Sequence, residues 1–254
     1  MSGSLTVVGL GPGGPDTLTP EAASALAAAD ALYGYGPYLD RVPQRAGQMR
    51  YPSDNREEGA RAAAALDRAA EGTHVAMVSG GDPGVFAMAA AVCEQIDRGG
   101  GTWRKLDVSV VPGVTAMLAV AARAGAPLGH DFCAISLSDN LKPWELIERR
   151  LDAAASGGFV IAFYNPISRA RPWQLGKAFE RLRTHLPAST PLVFGHAVGR
   201  RDERVVVTTL EAADPSSANM ATLIIVGSAE TRVIERPGMS PLVYTPRSAP
   251  GAGT

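Results

Sequence analysis

Gly9, Gly11 and Gly14 carry the spacing G-x-G-x-x-G directly after the apolar run LTVV. That spacing suits a turn whose bare amides, backed by a helix N-terminus, hold a pyrophosphate. A nicotinamide or flavin oxidoreductase is therefore one reading; a tight turn that needs the positive φ of glycine is another. The flanking residues argue against a dinucleotide. A phosphate-binding helix has to begin inside the glycine run, but here Pro15-Asp16-Thr17-Leu18 intervenes, and the best helix start is Thr19 as N-cap with Pro20 in the first helical position. Asp30 lies at about the distance of a ribose-binding acid, yet it precedes the second apolar run instead of ending it. The loop reads better as a stiff wall, poor in side chains, against which a bulky flat ligand can lie.

Two further stretches have the same texture. VAMVSGGDPGVF ends an apolar run in Gly80-Gly81 and places Asp82-Pro83 to open a helix near Val85, so Asp82 is both a candidate ligand contact and a candidate helix cap. VSVVPGVTAM ends another run in Pro112-Gly113, followed by the small residues Thr115 and Ala116. Open α/β sheets bind ligands beyond the carboxyl ends of their strands, which would make these three ends the lining of one crevice.

Other chemistries lack their residues. There is no G-x-S-x-G around Ser79, no H-E-x-x-H, and only two cysteines, Cys93 and Cys133, with no C-x-x-C. The four histidines, His74, His130, His185 and His196, are scattered, so no metal site is expected. With 24 Lys and Arg against 25 Asp and Glu, the net charge of −1 gives no global field for nucleic acid or an anionic membrane. The neutral balance hides one basic segment: residues 141–183 hold eight Lys or Arg and four Asp or Glu. MSGSLTVVGLGPGG lacks the basic start and long apolar core of a signal peptide, and cysteine usage suits a reducing cytoplasm.

The elements that must position these residues alternate. LTVVGL, ALYGY, THVAMVS and LDVSVV read as strands, separated by the helical patterns EAASALAAAD, REEGARAAAALDRAAE and VFAMAAAVCEQIDR. Strand and helix in turn predict a mostly parallel α/β sheet over residues 1–113. Beyond Gly113 the runs FCAISLS, FVIAFY, PLVFGHA, ERVVVTTL and TLIIVGS follow one another more closely, which predicts a mixed sheet in a second α/β domain over 114–246. Residues 247–254 read as a disordered tail.

Taken together, GLGPGGPDTLT, ADALYGY, VSGGDPGVF, VPGVTA, FYNPISRARPWQ and ANMATLIIVG resemble the ordered motifs of the tetrapyrrole methyltransferases that use S-adenosyl-L-methionine. The resemblance spans residues 4 to 245 and implies two α/β domains with the active site in the cleft between them, a small-molecule tetrapyrrole substrate and a homodimer. It implies cofactor contacts at Gly80, Gly81, Asp82, Val85, Thr115, Ala116, Asn165, Ala221 and Thr222, with Gly11 and Pro12 as the floor of the substrate side. ISLSDNLKPWELIERRL and FYNPISRARPWQL resemble the branch of the family that also contracts the macrocycle. Contraction demands a proton donor or acceptor, for which Asp139, Ser136, Tyr164 and His130 are the candidates. Substrate carboxylates call for guanidinium forks. Arg169 and Arg171 follow a strand end and are the best placed, with Lys142 and Arg56 behind them. Whether the macrocycle carries cobalt stays open, as does a carrier without catalytic activity.

Overall fold

A computed structural model describes residues 3–248. The expected tail residues 249–254 lie outside that range. Contacts divide the chain into two units, Met1–Ala116 and Met117–Thr254.

In the first unit, the run LTVV builds β1 (Ser4–Gly9), followed by β2 (Ala31–Tyr35), β3 (Met49–Ser53), β4 (His74–Ser79) and β5 (Asp107–Val111). They form one parallel sheet in the order β3-β2-β4-β1-β5. Alternation along each strand sends side chains to two cores. Leu5, Val7, Tyr33, Val75 and Met77 meet α3 (Glu58–Ala70) and α4 (Met88–Arg98) on one face. Val8, Leu32, Ala76 and Val78 meet α1 (Pro20–Ala28) and the turn carrying Leu39 and Val42 on the other. The α3 face is Ala62, Ala65, Leu66 and Ala69, the i, i+3, i+4 spacing of an amphipathic helix. Truncating the fully buried Leu66 to Ala would cost about 2–5 kcal/mol.

Two helix starts were expected here, and they come out differently. Thr19 caps α1 as expected: its side chain accepts from the Ala22 amide at 3.1 Å, with Pro20 in first position. The helix expected from near Val85 begins only at Met88, with Ala87 as N-cap and Phe86 at φ +53°. Asp82 therefore does not cap it.

The second unit contains β7 (Phe132–Ser136), β8 (Val160–Tyr164), β9 (Pro191–His196), β10 (Arg204–Thr209) and β11 (Thr222–Val226) in the order β10-β9-β11-β8-β7. Only β7 and β8 run parallel; the other pairs are antiparallel. α6 (Trp144–Ser156) and α7 (Gln174–Leu182) cover one face through Ile147, Leu151, Leu175, Phe179 and Leu182. α5 (Ala116–Ala124) comes so close to β9 that a Cβ on Gly195 would stand 2.2 Å from Val120 Cγ2. The short strands β6 (Gly125–Ala126), β12 (Arg232–Ile234) and β13 (Leu242–Tyr244) make a small third sheet that no hydrophobic run signalled.

Candidate active site

Because β4, β1 and β5 are parallel neighbours, the turns that follow them emerge at one edge of the first sheet. Those turns are tied to one another. Gly11 and Gly81 exchange backbone hydrogen bonds, N–H to carbonyl at 3.2 and 3.0 Å, and both have positive φ, +67° and +65°. Asp82 Oδ2 accepts from the Gly113 amide at 3.1 Å, and Oδ1 accepts from Gly84 at 2.8 Å. The third tie is close approach. A Cβ on Gly113 would stand 2.3 Å from the Gly81 carbonyl oxygen, and one on Gly9 would stand 2.6 Å from the Gly113 nitrogen. Only glycine fits at either position.

Arg41, which the sequence reading missed, fastens the first of these turns. Its Nη2 donates to the carbonyls of Leu10, Gly11 and Gly13 at 2.9, 2.8 and 2.7 Å. It follows a four-residue helical turn, α2 (Gly36–Leu39), and neither periodicity nor a motif singles it out.

The dinucleotide reading loses its two requirements. A 3-10 turn over Pro15–Thr17 and then α1 follow the glycines, so no long helix begins among them. Asp30 sits at the amino end of β2 and accepts from the His74 amide at 3.2 Å. That is the wrong end of the sheet for a ribose.

At Gly81 an added Cβ would stand 3.9 Å from Val114 O and Thr115 Cα and 4.0 Å from Ala116 N. Those distances are ordinary van der Waals contact, so space alone would admit a Cβ at Gly81, and it is the φ of +65° that favours glycine there. Gly80 is covered by the Tyr38 ring, Thr115 is buried, and Val85 and Ala116 are half-buried. Gly11 is buried and Pro12 half-buried, while Arg56 is exposed at φ +73° after β3, two strands from β4.

In the second unit the parallel pair β7–β8 brings Ser136 and Tyr164 into register, and the antiparallel β11 starts beside them with Thr222. Asn165, at φ +50°, donates from Nδ2 to Ser136 Oγ at 3.0 Å, and Tyr164 Oη accepts from the Met117 amide at 3.1 Å. Ser136, Tyr164, Asn165, Ala221 and Thr222 therefore share one sheet edge. The backbone at 221–222 is largely engaged already: the Ala221 amide donates to Asn219 Oδ1 at 2.9 Å, the Thr222 amide to Asn219 O at 3.0 Å, and the Ala221 carbonyl accepts from Ala197 at 2.9 Å.

Two of the proton-handling candidates are placed differently. His130 precedes β7 at the opposite edge from Ser136, with Nδ1 accepting from the Asp131 amide at 2.7 Å. Asp139 accepts from Gln174 Nε2 at 3.0 Å and pairs with Arg171 Nε at 3.3 Å, which gives it a bracing role. Arg169 is exposed, and Lys142 is half-buried, its ammonium pushed below the usual lysine range by burial and then by Arg150. Burial likewise pushes the Cys133 thiol up. Among the described residues, no three His, Cys, Asp or Glu lie together so as to hold a metal, and no helix is long and apolar enough to cross a membrane.

The parallel first sheet with joined turns and the mixed second sheet are the architecture of a known class: the chain belongs to the tetrapyrrole (corrin/porphyrin) methylases, whose family model matches residues 4–214. It is a methyltransferase. The chain is 65% identical over 252 residues to a Sinorhizobium sp protein named precorrin-3B C(17)-methyltransferase, covering 99% of each. It is 41% identical to a probable cobalt-factor III C(17)-methyltransferase of Salmonella typhimurium, over 95% of this chain and 99% of that one. The crystal structure of the methyltransferase CobJ superposes with a TM-score of 0.92 at 48% identity, over 96% of this chain and 100% of that one.

Proposed function

We propose that the chain methylates C17 of precorrin-3B with S-adenosyl-L-methionine as methyl donor, contracting the macrocycle to precorrin-4 in cobalamin biosynthesis. The observation that carries the substrate is the 65% identity over 99% of both chains to the Sinorhizobium protein of that name, against 41% to the cobalt-factor III relative. The backbone-rich turns after β1, β4 and β5, tied to one another through Gly11, Gly81 and Asp82, support the cofactor, since open α/β sheets bind ligands beyond the carboxyl ends of their strands.

In this reading Gly80, Gly81, Asp82, Val85, Thr115 and Ala116 would hold the cofactor, and Asn165, Ala221 and Thr222 would line the site. When bound, S-adenosylmethionine supplies an electrophilic methyl group, so no nucleophilic side chain is required. What the protein adds is alignment, worth on the order of 7–11 kcal/mol in such a displacement. Ser136 and Tyr164 are the candidates left for placing protons during contraction, because they stand together at one edge. The same reading includes a cytoplasmic homodimer, which light scattering of the purified protein tests.

Purified protein given precorrin-3B and methyl-labelled cofactor is expected to carry the label onto C17, read by NMR. Absence of transfer to authentic precorrin-3B overturns the proposal, and transfer only to cobalt-factor III moves the chain to the cobalt-loaded substrate. Titration should give heat with S-adenosylhomocysteine and none with NAD or NADP.

A further inference from the structure

A short turn between β8 and α7 presents an arginine whose fork is incompletely used. Ser168 and Arg171 exchange backbone hydrogen bonds at 3.2 and 3.0 Å, which closes the turn and leaves Arg169 and Ala170 at its tip. The Arg171 side chain is 21% exposed, so most of its stem is covered. Its nearest carboxylate is Asp139, with Oδ1 standing 3.3 Å from Nε. That same oxygen accepts from Gln174 Nε2 at 3.0 Å, in the first turn of α7. Asp139 is thereby held from one side and faces the arginine from the other.

The pairing is at Nε, and among the described residues neither Nη of Arg171 donates a hydrogen bond. Neither is sealed from solvent: the buried polar atoms left without partners include Ser168 Oγ in this turn but no nitrogen of Arg171. A guanidinium has five N–H donors in a fixed fork, and the two Nη groups hold four of them. One carboxylate can take two parallel bonds from that edge. Contrast Arg181, whose Nε and Nη2 are both consumed by Asp152. Arg181 thus spends its bidentate Nε and Nη2 edge on one carboxylate, whereas Arg171 is oriented through Nε alone and keeps both Nη groups.

We propose that Arg171 is a carboxylate-binding residue for an acidic side chain of the substrate, and that Asp139 is its positioning residue, not a proton donor or acceptor. This rests on the reading of the chain as acting on a polycarboxylate tetrapyrrole. Asp139 restricts the rotation of a long side chain before the ligand arrives, which lowers the entropy lost on binding. Arg171 and Lys are not equivalent here, because an ammonium has no planar edge to offer.

Uroporphyrin III is a stable polycarboxylate tetrapyrrole, and its octamethyl ester removes the charge while keeping the ring. Trp173, two residues from Arg171 and 43% exposed, serves as a fluorescence reporter. The full-length protein is expected to bind uroporphyrin III and to bind the ester far more weakly. Arg171→Ala should weaken uroporphyrin binding roughly 10- to 100-fold, with S-adenosylhomocysteine affinity unchanged. Arg171→Lys should recover only part of the loss, and Asp139→Asn should weaken uroporphyrin binding several-fold and raise KM for the tetrapyrrole, with S-adenosylhomocysteine affinity unchanged. Undiminished uroporphyrin affinity in Arg171→Lys and Asp139→Asn overturns the proposal, as does a fall in kcat with unchanged KM in Asp139→Asn. If wild-type protein fails to methylate precorrin-3B while uroporphyrin binding still depends on Arg171, the substrate reading falls and the carboxylate site stands.

Discussion

The carboxylate of Asp82 accepts the amide of Gly113 at 3.1 Å, across 31 residues of sequence. One side chain thus fastens the turn after β4 to the turn after β5, while its other oxygen closes its own turn on Gly84. Asp82→Ala frees two amides at once. We expect S-adenosylhomocysteine binding, measured by calorimetry, to weaken by roughly 1–3 kcal/mol. A folded variant with wild-type affinity would confine Asp82 to holding the turns together.

Gly113→Ala places a Cβ 2.3 Å from the Gly81 carbonyl oxygen, so one of the two backbones must move. Overpacking of this kind costs about 1–3 kcal/mol or more. Gly14→Ala is the matched control, because nothing lies within 4 Å of its Cβ direction. Thermal denaturation should separate the two, with Gly14→Ala within about 0.5 kcal/mol of wild type. Equal melting temperatures would contradict the close approach.

Arg41→Ala removes a donor shared by three carbonyls of the glycine-rich turn. Hydrogen bonds to a charged group are worth about 1.5–3 kcal/mol each way. The expected readout is faster amide exchange over residues 10–13 with little change in the strands of the first sheet. Uniform loss of protection across that sheet would assign Arg41 to global stability instead.

Asp152 lies between Arg181 and His185, and hydrogen bonds from Arg181 hold its carboxyl down from 3.8 to about 2. The unfolded chain binds this proton first as pH falls. The contribution of Asp152 is therefore complete above pH 4 and disappears as pH drops through about 2. Urea midpoints measured from pH 5 down to 2 should fall, and Asp152→Asn should flatten that part of the profile. The Asp152 side chain is 27% exposed and that of Arg181 44%, so solvent screening keeps the effect modest.

Sequence reading reached the elements whose signal is local. Thr19-Pro20 reads as a helix start because cap and first-turn chemistry need no partner from elsewhere in the chain, and LTVV or TLIIV reads as a strand because burial on both faces leaves an unbroken apolar run. β3 escaped because MRYPS holds an arginine and a proline, which an edge strand tolerates. The start of α4 was misplaced for a non-local reason: Asp82 was read as a cap, but Gly113 claims its carboxylate. The same limit hid Arg41, whose partners lie 28 to 31 positions away. Asp139 was legible as a polar residue near a strand end, yet its pairing with Arg171 and Gln174 depends on how a loop and a helix pack.

The junction of Gly9, Gly81 and Gly113 has a consequence for association. A pocket wall made of three separately mobile loops would have to be frozen when its ligand arrives, at a penalty that grows with every residue immobilised. Here the backbones are already locked against each other, so for the cofactor proposed to bind there most of that ordering would be completed during folding. Because the Gly9 and Gly113 backbones and the Gly81 carbonyl stand in mutual contact, a Cβ at Gly9 or Gly113 displaces more than one turn.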